Sequence, residues 1–144
     1  MTRQEVYREI EQTFGLVPSM FKDVPDSKFD HEWKLLREIQ LEETGPIPLK
    51  YRELISLAIS GATKCPYCTL YHTEVARLFG ATDQGTEATV HYAKSTAGWS
   101  TYSNGLEIDS NQFRKEMKQA CGHVRSSQQS AAALAGTETR ADVH

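Results

Sequence analysis

Apolar residues recur at helical spacing along most of this 144-residue chain, and this pattern constrains the fold more than any other feature. In the first segment, Val6, Ile10 and Phe14 lie on one helical face, and Gly15 can end the helix with a left-handed residue. No segment shows the alternation of apolar and polar residues that is typical of a half-buried strand. The sequence therefore predicts an all-α fold of about six helices.

Turn and capping signals divide the chain into separate helices. An amphipathic helix predicted over residues 27–43 ends at the Gly45-Pro46 break. The next helix, predicted over residues 49–60, is apolar around much of its circumference, so we expect it to be the buried centre of the fold. Two later helices are predicted over residues 82–97 and residues 108–121.

The length of the chain fits one domain, because single hydrophobic cores typically run to roughly 100–200 residues. After Val124 the composition changes abruptly to Ser, Gln, Ala and Thr. We therefore expect residues 1–124 to form the helical domain. Residues 125–144 should form a tail that is disordered, or helical only by docking on a neighbour.

The net charge and the hydropathy of the chain exclude some classes of binding partner. The formal net charge is −3, which leaves no large basic surface for phosphates, so nucleic acid is not an expected partner. No apolar run approaches the ~20 residues of a membrane-spanning helix, and the N-terminus lacks the apolar stretch of a signal peptide. The sequence predicts a cytoplasmic protein that does not bind membranes.

Two cysteines, Cys65 and Cys68, lie where a helix is predicted to begin. Pro66 suits the first helical position, because its missing N–H would be unpaired there anyway. A helix N-terminus can lower a cysteine pKa from ~8.5 to about 3.5–7.5, and the thiolate is the form that attacks disulfides and peroxides. His72 follows Cys68 by four residues, so it shares a helix face with both thiols. The pattern predicts a redox-active thiol pair with a base beside it.

Glu53 is the fourth candidate, because it interrupts the otherwise apolar helix over residues 49–60. A carboxylate drawn into that interior needs a hydrogen-bond or charge partner, and His72 can be that partner. A carboxylate that holds an imidazole, which in turn takes a proton from a cysteine, is the general pattern of an activated nucleophile. Tyr67 and Tyr71 are interpreted as packing residues that can also line the thiol pocket or donate a hydrogen bond there.

The spacing of the four candidates resembles a known family. Glu53, eleven further residues, Cys65-x-x-Cys68, three residues and then His72 resemble the signature of the alkylhydroperoxidase D branch of the carboxymuconolactone decarboxylase family. The resemblance extends from about Gly15 to Thr82 and more weakly beyond. It implies an alkylhydroperoxidase D-like helical bundle in which Glu53 and His72 form a proton relay and the two cysteines cycle between dithiol and disulfide.

The resemblance also implies an activity and a set of partners. It implies a thiol-dependent peroxidase or disulfide oxidoreductase, with no bound metal or organic cofactor. The oxidant would be a hydroperoxide or a protein disulfide, and the reductant a lipoyl-type or other thiol donor. Family members of the best-studied type carry a histidine where this chain has Tyr67, which favours disulfide exchange over peroxide reduction. Family members form trimers or hexamers, and the apolar central helix also predicts a homo-oligomer.

Two other functions are weighed against this one. A zinc-stabilised helical interaction module would use Cys65, Cys68 and His72 as ligands, with Cys121 or His123 as the fourth. A carboxymuconolactone decarboxylase-like lyase acting on a lactone acid is also compatible with the family, but it needs no cysteine pair. A glutaredoxin-type fold is set aside, because its Cys-Pro-Tyr-Cys motif follows a strand and here a helix is predicted to precede it.

The order in which the cysteines attack stays open between two physical arguments. The helix N-terminus favours a thiolate at Cys65, whereas the one-turn separation from His72 favours Cys68. As a hypothesis, His72 activates Cys68, and Cys65 is the more exposed sulfur that meets the thiol donor.

Overall fold

The protein is described by a computed structural model that covers residues 1–141, with side chains described for residues 1–132. Within residues 1–141 there is no strand, so the prediction of an all-α fold of about six helices is confirmed. The helices are α1 (Arg3–Phe14), a short 3-10 turn (Ser19–Phe21), α2 (Asp26–Gln40), α3 (Leu49–Thr63), α4 (Pro66–Leu78), α5 (Asp83–Gly105) and α6 (Ser110–Ala141). The chain divides into two compact units, Met1–Ala97 and the residues from Gly98 onward.

The aromatic core of the first unit lies between α1, α2 and the 3-10 turn. Val6 and Ile10 of α1 pack with Phe21, Phe29 and Trp33, and all five side chains are buried. Burial of one such side chain contributes about 1.5–3 kcal/mol, so this cluster fixes the angle between α1 and α2. Helices α1 and α2 therefore form a fixed pair that precedes the later helices.

Arg52 links the end of α2 to the start of α3. Its Nη1 donates to the carbonyl oxygens of Glu38, Ile39 and Glu42, each at 3.1 Å, and its Nε donates to Ile47 at 2.6 Å. The last carbonyls of a helix lack partners within the helix, and a cation there also complements the helix dipole. Arg52 therefore fixes the position of α3 relative to α2.

Helices α3 and α4 form the most extensive helix pair in the described chain. Lys64 ends α3 in the left-handed conformation, with φ of 59°, and Cys65 begins the next helix at once. This short connection turns α4 back onto α3, so the faces that carry Glu53 and His72 meet.

The expectation that α3 is the buried centre of the fold is wrong for the single chain. Only the face that carries Leu49, Glu53 and Leu57 is buried, whereas Ile55 and Ile59 are 49% and 57% exposed. A helix that packs against neighbours on one side alone leaves its other apolar face uncovered. The first unit therefore presents apolar α3 side chains at its surface.

The last two helices are longer than predicted. Helix α5 continues to Gly105, beyond the predicted end at residue 97, and α6 passes the expected end near Cys121 and reaches Ala141. Residues 125–135 contain no glycine or proline, and alanine and glutamine favour helix, so the composition change after Val124 does not end the helix. The assignment of residues 125–144 as a tail stays a prediction, and its last three residues lie outside the described part of the chain.

None of the helices within residues 1–141 combines the length and the apolar character that a membrane crossing demands.

Candidate active site

Helix α3 delivers Glu53 to the interior of the first unit. The side chain is 0% exposed, because Leu49, Glu53 and Leu57 follow one another at four-residue spacing on the buried face of the helix. A carboxylate in such a place is costly unless it is paired and hydrogen-bonded.

His72 is the partner of this buried carboxylate. Its Nδ1 lies 2.7 Å from Oε2 of Glu53, and its side chain is 13% exposed. Because an ionised carboxylate only accepts hydrogen bonds, Nδ1–H is the donor, and Nε2 of the neutral imidazole is left to accept a proton. Glu53 thus fixes both the orientation of the ring and the nitrogen that can act as a base.

The two cysteines form a disulfide at the N-terminus of α4. Cys65 is the N-cap residue, its Cα lies 5.3 Å from that of Cys68, and Pro66 occupies the first turn. The Sγ of Cys65 accepts a hydrogen bond from the backbone N–H of Cys68 at 3.2 Å. An N–H donor and the helix dipole both favour negative charge on this sulfur once the bond is reduced.

The structure brings the four predicted residues together in two contacting pairs. Glu53 meets His72 across the α3 and α4 pair, and Cys65 is bonded to Cys68. The two pairs are linked along α4, because Cys68 and His72 are one helical turn apart on the same face. Both cysteines are half-buried residues.

The sequence predicts that Tyr71 is mainly a packing residue, and the structure shows that it packs against His72. Its ring packs edge-on against the imidazole of His72, with centroids 5.1 Å apart and an interplanar angle of 83°. Burial and then the negative charge of Glu53 raise the pKa of Tyr71 to about 12. By contrast, Tyr67 is 86% exposed. Spacing alone cannot separate these two tyrosines, because the difference lies in how α4 is turned toward α3.

Cys121 and His123, the fourth ligands of the zinc interpretation, are exposed residues of α6. Among the residues that the structure describes, no group of three or more His, Cys, Asp or Glu side chains is arranged to hold a metal ion.

His91 of α5 lies beside the thiol helix α4. It lines a cavity of about 500 Å³ together with Thr69 and Thr73 of α4. Helix α5 therefore brings an imidazole to the side of α4.

A family model and a curated protein both match part of this chain. The carboxymuconolactone decarboxylase family model matches residues 28–109. A curated Mycobacterium tuberculosis protein named alkyl hydroperoxide reductase is 32% identical over 81 residues. That match covers 55% of this chain and 23% of the relative, so the chain spans about a quarter of the relative's length.

Two solved structures have a similar fold. The alkylhydroperoxidase AhpD core from Rhodospirillum rubrum superposes with a TM-score of 0.66 at 24% identity, over 74% of this chain and 80% of that one. A putative carboxymuconolactone decarboxylase from Burkholderia xenovorans gives 0.56 at 18% identity, over 81% and 94% of the two chains. At these identities the likeness establishes the all-α fold.

Proposed function

This chain belongs to the carboxymuconolactone decarboxylase family, whose model matches more than half of it, and we propose that it is a thiol-dependent peroxidase or disulfide oxidoreductase. One observation carries the proposal: a cysteine pair at a helix N-terminus stands one turn from a histidine that a fully buried glutamate holds at 2.7 Å. The members of this arrangement are Glu53, Cys65, Cys68 and His72. We propose them as the catalytic residues.

In the oxidising half of the cycle, two thiols supply two electrons to a hydroperoxide. The Cys68 thiol passes its proton to Nε2 of His72, and the thiolate attacks one peroxide oxygen. The O–O bond breaks, a sulfenic acid forms on Cys68, and the alcohol leaves with the proton from His72. The Cys65 thiol then attacks the sulfenic sulfur, which forms the disulfide and releases water.

In the reducing half, a lipoyl-type or other dithiol donor returns the two electrons. The first donor thiol passes its proton to His72 and attacks Cys65 as a thiolate, the Cys65–Cys68 bond breaks, and Cys68 leaves as a thiolate that takes this proton from His72. The second donor thiol then attacks the mixed disulfide, which frees Cys65 and leaves the donor oxidised. When a protein disulfide is the oxidant, the same exchange runs in the opposite direction.

Glu53 acts through His72 in both halves of the cycle. Its carboxylate holds the imidazole in one tautomer and stabilises the imidazolium that forms when His72 accepts a proton. Burial strengthens this interaction, because little water competes with it.

We also propose that the chain forms a homo-oligomer, a trimer or hexamer, because the apolar face of α3 is exposed in the single chain. Use of a cellular thiol donor supports a cytoplasmic location. The alternative function, a carboxymuconolactone decarboxylase-like lyase, gives the cysteine pair no catalytic role. Release of carbon dioxide from a lactone acid by the Cys65→Ser, Cys68→Ser double variant would favour that alternative.

Stopped-flow oxidation of the reduced full chain tests the proposal. The oxidants are hydroperoxides and lipoyl or protein disulfides. The proteins compared are wild type, Cys68→Ser and, as a matched control, Cys121→Ser at an exposed position of α6. We expect disulfide formation in wild type and in Cys121→Ser, and none in Cys68→Ser. Failure of every oxidant to form the disulfide in wild type would overturn the proposal.

A further inference from the structure

Two buried polar atoms beside the relay have no hydrogen-bond partner among the described residues: Oε1 of Glu53 and the hydroxyl oxygen of Tyr71. An unpaired buried polar group costs about 1–3 kcal/mol, and buried tyrosine hydroxyls usually find a partner. The two atoms are complementary, since a phenol O–H donates and a carboxylate oxygen accepts. A water molecule that accepts from the phenol and donates to the carboxylate satisfies both atoms.

Tyr71 contacts His72 directly, and the charge of Glu53 acts on its phenol. Its ring packs edge-on on His72, so the phenol is held against the imidazole. The charge of Glu53 adds to burial in raising the pKa of Tyr71 to about 12, so the phenol keeps its proton at all physiological pH values. Tyr71 can consequently donate a hydrogen bond to the relay but does not carry the relay's proton.

We propose that Tyr71 is a positioning residue of the Glu53 and His72 pair, whose hydroxyl donates to Oε1 of Glu53 through one bridging water molecule. A hydrogen bond donated to a carboxylate stabilises its ionised form. The proton taken from a thiol then rests on His72, not on Glu53. This inference rests on the proposed function, because it adds a residue to the same relay.

The titratable groups that face Tyr71 come from α3 and α4. Helix α3 contributes Glu53, and α4 contributes His72. The titratable and charged side chains of α5 that reach α4 do so at the cavity beside Thr69 and Thr73: Glu87, His91 and Lys94. The variants below leave the α5 groups unchanged, so a difference between variants reports on Tyr71 and its partner.

The test is the pH profile of thiol alkylation by iodoacetamide, measured from pH 5 to 9 on the reduced chain in a Cys121→Ser background. In Tyr71→Phe we expect alkylation to be roughly 3–10-fold slower at pH 6 and its acidic limb to move up by about 0.5–1 pH unit, with convergence above about pH 9. Tyr92→Phe, which removes an exposed hydroxyl from α5, is the matched control and should follow wild type. An unchanged profile, or one slowed by the same factor at every pH, would overturn the inference.

A double variant tests the route through Glu53. In a Glu53→Gln background, Tyr71→Phe should cause no further shift of the acidic limb, because the two residues act on one interaction. A full additional shift would contradict this route. Should Tyr71→Phe fail to fold, the alkaline titration of Tyr71 in Glu53→Gln decides: its midpoint must fall below that of Tyr71 in wild type, and an unchanged midpoint would overturn the inference.

Iodoacetamide alkylation needs no oxidant. If no hydroperoxide or disulfide oxidises the thiols, the proposed function fails while the alkylation profile still reports on Tyr71. If oxidation proceeds and the Tyr71→Phe profile matches wild type, only the inference about Tyr71 fails.

Discussion

Glu53 is fully buried, and the group hydrogen-bonded to its carboxylate among the described residues is the imidazole of His72. Replacement by glutamine keeps the shape but removes the charge that orients and stabilises the imidazolium. We expect Glu53→Gln to slow oxidation of the thiols by about 10–100-fold near pH 7. Glu74→Gln, on the exposed side of α4, is the control and should stay within twofold of wild type. Stopped-flow rates measure both, and equal rates for the two variants would remove Glu53 from the relay.

Tyr71 gives a prediction for the alkaline limit of stability. Its folded pKa of about 12 lies above the ordinary tyrosine value of ~10, so the folded state holds the phenolic proton more tightly than the unfolded state. This contribution is fully present below pH 10 and is lost as the pH rises to about 12. We expect the stability advantage of wild type over Tyr71→Phe to shrink by of order 1–2 kcal/mol between pH 9 and pH 12. Urea unfolding at both pH values measures it, and a constant difference would contradict it.

At the scale of elements, the position of the site depends on how α3 is held against α2. Arg52 donates to the final carbonyls of α2 and to the connector at Ile47, so one side chain joins both helices. We expect Arg52→Met to lower the free energy of unfolding by about 2–3 kcal/mol, because several hydrogen bonds to a charged group are lost together. Arg8→Met, an exposed change on α1, should have an effect below about 0.5 kcal/mol. Urea denaturation compares them, and similar losses would deny Arg52 this role.

Some features of the helices can be predicted from local sequence patterns, and others cannot. Helix existence and the thiol helix start were predictable, because spacing and the Pro66 cap are local signals. The exposure of Ile55 and Ile59 was not, since periodicity does not say how many neighbours a helix has. The spacing of Glu53 and His72 led to the pair before the structure showed their contact. The buried hydroxyl of Tyr71 depends on the rotation of α4 against α3, which no local pattern encodes.

For the whole molecule, the exposed apolar face of α3 predicts self-association. Charge placed on that face by the Ile55→Glu, Ile59→Glu double variant should dissociate the oligomer and leave the helix content unchanged. Leu16→Glu, an equally exposed change on the connector between α1 and α2, should not. Light scattering at micromolar concentration reads the result. A wild-type monomer would remove the basis for this prediction.

The central claim is that Cys65 and Cys68 act together as one two-electron centre. The most direct test is mass spectrometry of the reduced full chain after one equivalent of hydroperoxide, with alkylation and peptide mapping. We predict the loss of two hydrogen atoms, confined to the peptide that contains Cys65 and Cys68, and one equivalent of alcohol. Both cysteines recovered as free thiols after the hydroperoxide and, in a second sample, after one equivalent of a lipoyl disulfide, or oxidation confined to Cys121, would contradict the claim.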